Sequence, residues 1–185
     1  MPGDQGDDYR ADADRAGADG APRASPEDAM AQAQRSAARM YAGDQAVRAL
    51  GISIEEVAPG RATARMRMTA DMVNGHGITH GGYVFLLADT AFAYACNSHG
   101  PITVARACEI TFLRPARQGD ELTATAEERV RMDRTGIYDV SVRRADGSVL
   151  AELRGHSRAL RSASGPGSPA GGMVPDDGEG KGVMT

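Results

Sequence analysis

Asp89 sits where a charged residue has least reason to be. It lies in GGYVFLLADTAFAYACN, Gly81 to Asn97, whose residues between Tyr83 and Cys96 are apolar on every side apart from Asp89 and Thr90. That pattern predicts a helix enclosed by protein. An ionised carboxylate is costly to bury there unless a neighbour uses its charge or its proton, so Asp89 is the first catalytic candidate. Ahead of the helix runs a glycine-rich loop, NGHGITHGG from Asn74. Its small residues let a ligand approach the backbone, and the free N–H groups at the start of the helix favour developing negative charge. Alone, the loop reads equally as a tight turn into a helix. With a buried acid in the helix that follows, Gly81 becomes a candidate oxyanion donor. Asn74 adds a carboxamide that can orient a water or a carbonyl, or simply cap the turn.

Spacing constrains how these groups can work together. Gly81 and Asp89 are eight residues apart on one helix, about 12 Å along its axis at 1.5 Å per residue. A carbonyl held about 3 Å from the Gly81 N–H is therefore out of reach of the same chain's Asp89. If both act on one bond, two chains supply them, and an antiparallel pair of helices about a two-fold axis forms the site twice.

Other candidates fall away. His76 and His80 stand at i and i+4, but the glycines between them argue against the helix a metal pair needs, and no third ligand is near, so no metal is expected. His99 and His156 have no sequence partners and read as structural. Tyr83 and Tyr94 read as core residues with their hydroxyls satisfied at its edge. Ser98 and Ser141 lack the context of a serine nucleophile, and there is no GxSxG, P-loop or GxGxxG.

The elements that must position the helix are legible from pattern. Ser25 as N-cap and Pro26 at the first helical position start an Ala-rich helix that breaks near Gly43 and stops before Gly51. Strand-like runs follow from Ile52 to Val57 and from Arg61 to Met68, joined at Pro59-Gly60. In the second, Ala62, Ala64, Met66 and Met68 alternate with Arg61, Thr63, Arg65 and Arg67. After the central helix come four more: Thr103–Leu113, Glu121–Arg131, Gly136–Arg144 and Val149–Leu160, the last two joined by the hairpin signal Asp146-Gly147. This order gives α+β with a mostly antiparallel sheet, and the all-apolar helix is its natural filling. The folded body spans 26–161, with disordered tails expected at 1–25 and 162–185.

Charge is concentrated in those tails. Six Asp against three Arg in 1–25, and three acids against one Lys in 162–185, leave the body at +1 of a net −4. With no Trp and few aromatics, nucleic-acid binding is not expected. The central apolar run is about 14 residues, short of the roughly 20 that span a bilayer, so no membrane segment is expected. No secretory start is visible, which predicts a cytoplasmic protein with Cys96 and Cys108 as buried free thiols.

The stretches NGHGITHGGYVFLLADTAFAYACNS, TVARACEITFLRPARQGDELTATA and RTGIYDVSVRRADG closely resemble the hot-dog acyl-CoA thioesterases of the phenylacetate-degradation type. The resemblance runs from about residue 30 to 160, with the HGG and LAD motifs its most specific part. It implies a curved antiparallel sheet wrapped around one long helix, and hydrolysis of a phenylacetyl-CoA or ring-hydroxylated phenylacetyl-CoA. In that family the position of Asp89 carries the general base or nucleophile, that of Gly81 the N–H that polarises the thioester carbonyl, and that of Asn74 an amide that places water or substrate. His80, Gly82, Arg134, Thr135 and Gly136 fall at substrate-binding positions. The family's hydroxyl residue one turn after the acid is Ala93 here, leaving Thr90 or Asn97 to hold water. Coenzyme A is part of the substrate and no cofactor is implied; its phosphates would meet some of Arg114, Arg134, Arg143 and Arg158. The family resemblance also implies a homodimer paired into a homotetramer. Competing readings are a hot-dog thioesterase for benzoyl or medium-chain acyl-CoA and a non-catalytic acyl-CoA-binding protein; Asp89, Gly81 and Asn74 together argue against the last.

Overall fold

The structure, a computed structural model, describes residues 24–161. The expectations for the two tails lie outside the described residues, apart from Ala24 and Ser25. Helix α1, Pro26–Gly43, starts as its sequence requires: the Ser25 hydroxyl accepts from the Asp28 N–H at 3.1 Å, with Pro26 in the first turn. After the break comes α2, Gln45–Ala49, capped by the Asp44 carboxylate, which accepts from the Val47 N–H.

Strands β1 (Ser53–Ala58) and β2 (Arg61–Arg67) form the first hairpin, turning at Gly60 with φ +72°. A short 3-10 turn, Ala70–Met72, leads to the glycine loop and then to α3, Gly81–Asn97. Strands β3 (Thr103–Phe112), β4 (Glu121–Met132), β5 (Thr135–Arg144) and β6 (Val149–Ala159) complete one antiparallel sheet in the order β1-β2-β4-β5-β6-β3. All six strands were legible, and the Asp146-Gly147 hairpin closes with Gly147 at φ +85°. The period-two reading of β2 holds: Ala62, Ala64, Met66 and Met68 are buried, while Arg61, Arg65 and Arg67 are exposed.

Helix α3 lies on the inner face of this sheet. Ala62 and Ala64 on β2 and Ala124 and Ala126 on β4 are fully buried beneath it, and such short side chains let a helix approach closely. Farther across the sheet, Phe92 of α3 lies over Gly155 of β6, where a Cβ would come within 2.9 Å of three ring atoms. Phe92 also meets the Tyr138 ring in a tilted pair, centroids 5.4 Å apart.

The enclosure of α3 is incomplete, contrary to the expectation of a helix surrounded on all sides. Gly82, Phe85, Leu86, Asp89 and Ala93 are half-buried or exposed, and their spacing traces one stripe along the helix. The outermost strand on that side, β3, covers the helix only partly, with Cys108 and Ile110 half-buried and Phe112 exposed. Cys108 is thus not the buried thiol its apolar context suggested; only Cys96 is.

The close approach of α3 to β6 yields a stability prediction. Gly155→Ala should destabilise the protein by about 1–3 kcal/mol through overpacking, and adding Phe92→Leu should recover part of that loss. Chemical denaturation of the single and double variants measures both, and equal additive losses would place the constraint elsewhere.

Candidate active site

The glycine loop is built by its own polar groups. The Asn74 N–H donates to the Ile78 carbonyl at 2.8 Å, and the Asn74 side-chain oxygen accepts from the His76 N–H at 2.9 Å and the Ile78 N–H at 3.4 Å. The loop is docked to the body by the Thr79 N–H on the Ala116 carbonyl and the His80 N–H on the Met72 carbonyl, both 2.8 Å. The carboxamide oxygen of Asn74 is therefore committed to the turn. Its NH₂ has no hydrogen bond among the described residues and is the end left for a ligand.

His80 is the N-cap of α3. Its Nδ1 accepts from the Gly82 N–H at 3.0 Å, and its carbonyl accepts from the Tyr83 N–H at 3.0 Å. The Gly81 N–H finds no acceptor among the described residues. Of the first three N–H groups of the helix, Gly81 alone is thus free to meet an oxyanion. The Gly81 backbone lies under the Phe112 ring, 3.1 Å from where a Cβ would stand. Asn74, Gly81, Thr79, Val84, Phe112 and Arg114 share the wall of a cavity of about 440 Å³.

Asp89 lies elsewhere, halfway along α3 on the uncovered stripe. Burial raises its carboxyl above the ordinary aspartate range, and no hydrogen bond or ion pair offsets that among the described residues. Its charge is felt by the two thiols: burial first, and Asp89 second, push Cys96 up to about 12 and raise Cys108 in the same direction. A carboxyl with a raised pKa and no internal partner is suited to exchange protons with a bound molecule.

The third group of expected residues stands at the other end of α3. Arg134 and Thr135 line a cavity of about 430 Å³ beside Cys96, His99, Tyr138 and Arg161. Thr135 and Gly136 border another on the outer sheet face. Within one chain, then, Asn74 and Gly81 come together, Asp89 stands midway, and Arg134, Thr135 and Gly136 lie beyond. His80 and Gly82 serve each other as cap and capped N–H and line neither of these cavities.

Several expectations are corrected. Thr90 donates to the Leu86 carbonyl at 2.8 Å. Asn97 donates to the carbonyls of Ala93 and Thr103 and accepts from the Thr103 N–H, which ties the end of α3 to β3. Both side chains are tied to the backbone by these bonds, which use the Thr90 hydroxyl proton and leave only acceptor lone pairs over. Arg143 bonds the Gly147 carbonyl within its own hairpin, away from these cavities. The Tyr94 hydroxyl is not satisfied at the edge of the core: it is buried with no partner among the described residues, and burial, then Asp44 and Tyr41, push it up to about 12. His99, which has no visible partner in the sequence, is paired with Glu128 at 2.6 Å, a residue 29 positions away that no local motif could signal.

Comparison with known proteins agrees with this architecture. Residues 76–151 match the family model described as the thioesterase superfamily. The chain is 47% identical over 129 residues to acyl-coenzyme A thioesterase PaaI of Escherichia coli, covering 70% of this chain and 92% of that protein. The solved structure of the E. coli PaaI protein from the phenylacetic acid degradation operon superposes with a TM-score of 0.70 at 46% identity, over 71% of this chain and 96% of that one. A mutant of the phenylacetic acid degradation protein PaaI from Thermus thermophilus gives 0.61 at 37% identity, over 63% and 100%. Six antiparallel strands around α3, the free N–H at its start and these matches have one consequence: the chain belongs to the thioesterase superfamily and, within it, to the acyl-CoA thioesterase family of PaaI, as a thioester hydrolase with the hot-dog fold.

Proposed function

We propose that this protein hydrolyses phenylacetyl-CoA, or a ring-hydroxylated phenylacetyl-CoA, to the free acid and coenzyme A. The E. coli and T. thermophilus relatives named for phenylacetic acid degradation support that substrate class. The single observation that carries the mechanism is the pairing on one rigid helix of a free Gly81 N–H and an unpartnered Asp89, its carboxyl raised by burial, about 12 Å apart. In the proposed site the thioester carbonyl accepts from Gly81 of one chain, where charge builds as the tetrahedral centre forms. Asp89 of the partner acts on that carbon directly or through a water it deprotonates, and the Asn74 NH₂ steadies the carbonyl or the water. The C–S bond breaks and the thiolate takes up the proton that Asp89 removed from water, so coenzyme A leaves as the thiol. On the direct route water then cleaves the acyl-Asp89 anhydride, releasing the free acid and supplying that proton. Water and the thioester suffice, so no cofactor or metal takes part.

The uncovered stripe on α3 supports the two-chain arrangement. Setting Gly81 opposite a partner's Asp89 in an antiparallel pair places the two-fold axis at Phe85, and Gly82, Phe85, Leu86 and Asp89 are the positions the fold leaves open. Exposed Phe112 and Leu113, which line the Gly81 cavity at the end of β3, continue this surface. We take the dimer, and the tetramer built from two of them, as the working assembly of a cytoplasmic enzyme. Among the described residues no helix is long and apolar enough to cross a membrane. Arg134, Thr135 and Gly136 of the acid-bearing chain lie beyond its Asp89, on the side towards which the coenzyme A would run.

Two outcomes test this reading. Asp89→Asn should lower thiol release from phenylacetyl-CoA by at least about a hundredfold while leaving substrate binding measurable. Because the folded-state pKa of Asp89 is raised, ionising it disfavours the fold: its contribution is fully favourable below the unfolded-state value and is lost as pH rises through the folded-state value. Asp89→Asn should therefore be the more thermostable protein at neutral pH, with the gap closing as pH falls towards the ordinary aspartate range. A variant that is slow but equally stable at all pH would mean that Asp89 is not desolvated. Separately, co-refolding Asp89→Asn chains with inactive Gly81→Val chains should regenerate one working site of the two in each mixed dimer, and a mixture no more active than its components would exclude a shared site.

A further inference from the structure

The β4 strand carries a fault whose effect reaches the basic cavity. Its register shifts between Glu128 and Val130, so that Glu128 faces Tyr138, Val130 faces Ile137 and Arg131 faces Gly136. Residues three apart point to opposite faces of a regular strand; one inserted residue brings Glu128 and Arg131 to the same face. There the Glu128 Oε2 accepts from the Tyr138 hydroxyl at 2.7 Å, meets His99 Nε2 at 2.6 Å and lies 3.7 Å from Arg131 Nε. Gly60 is packed against the Glu128 side chain, leaving a Cβ there only 2.9 Å from it.

This cluster borders the cavity of about 430 Å³ at the C-terminal end of α3, where Arg131, Arg134 and Arg161 converge with only Asp133 as an opposing lining charge. Arg134 and Arg161 form no ion pair among the described residues. Gly136 packs tightly behind two residues of the cavity wall, since a Cβ there would stand 2.8 Å from the Tyr138 ring and 2.9 Å from the Ser157 hydroxyl. The cavity wall includes Cys96, seven residues past Asp89 and so about 10 Å further along the helix. An extended pantetheine arm covers that distance from a thioester held at Asp89 and delivers its phosphates among the three guanidinium groups.

We propose that Glu128 is a positioning residue for substrate binding: clamped by His99 and Tyr138, its carboxylate fixes Arg131 at this cavity, where Arg131, Arg134 and Arg161 receive the phosphate groups of the coenzyme A thioester. The inference rests on the acyl-CoA reading above. It is tested by comparing phenylacetyl-CoA with phenylacetyl-pantetheine, which carries the same thioester and no phosphate. Glu128→Gln keeps an acceptor for Tyr138 while removing the charge that holds Arg131; Arg131 itself is exposed, so Arg131→Gln leaves the fold unburdened. The ratio of kcat/KM for the CoA thioester to that for the pantetheine thioester should fall about tenfold in Arg131→Gln, as expected for one lost charge-assisted contact, and severalfold in Glu128→Gln through KM. In the double variant the Glu128 change should add nothing to the Arg131 change. A ratio unchanged or raised in either variant, equal loss on both substrates, or additive effects in the double variant would overturn the proposal. Failure of the wild type to hydrolyse either thioester would instead sink the reading on which it rests.

Discussion

A helix is a ruler, and α3 holds two chemically useful groups too far apart to share a bond. The Gly81 N–H is free because the cap of His80 takes Gly82 and Tyr83 but not Gly81. Asp89 is raised because nothing nearby compensates its burial. Bending α3 to join them would break its hydrogen-bond ladder, so the fold leaves Asp89 on an open stripe and Gly81 beside its start, the separation that the proposed second chain would bridge. The sheet, the hairpins and α1 serve this arrangement by holding α3 rigid while leaving that one side uncovered.

How the sheet does so follows from side-chain size. Alanines on β2 and β4 and Gly155 on β6 let α3 settle deeply, with Phe92 filling the space above Gly155. Depth on that side has its counterpart at β3, where Cys108 and Ile110 reach the helix only partly and Phe112 turns to cover Gly81. The same strand shields the Gly81 end and leaves Asp89 open, which is the opening the proposed substrate site uses.

Elements with strong local signals were legible in the sequence. Ser25-Pro26 marks a helix start, the Arg61–Met68 alternation a half-wet strand and Asp146-Gly147 a hairpin, and each is written in adjacent residues. The candidate site was legible only as local signals, since a carboxylate in an apolar run and a glycine loop before it are one-dimensional features. What could not be read were pairings set by the sheet. Glu128 meets His99 only because β4 crosses near the end of α3, and it shares a face with Arg131 only because of a bulge that no residue type announces. The Asn74 amide shows a subtler limit, since its type fits both catalysis and capping and only the fold shows its oxygen committed to the turn.

The most direct measurement is a structure of the assembled protein with a non-hydrolysable phenylacetyl-CoA analogue bound. The account predicts the analogue's carbonyl oxygen about 3 Å from the Gly81 nitrogen of one chain, with the nearest Asp89 carboxylate contributed by its partner. An analogue held with Gly81 and Asp89 of a single chain, or with no Asp89 from either chain within reach of its carbonyl carbon, would contradict it.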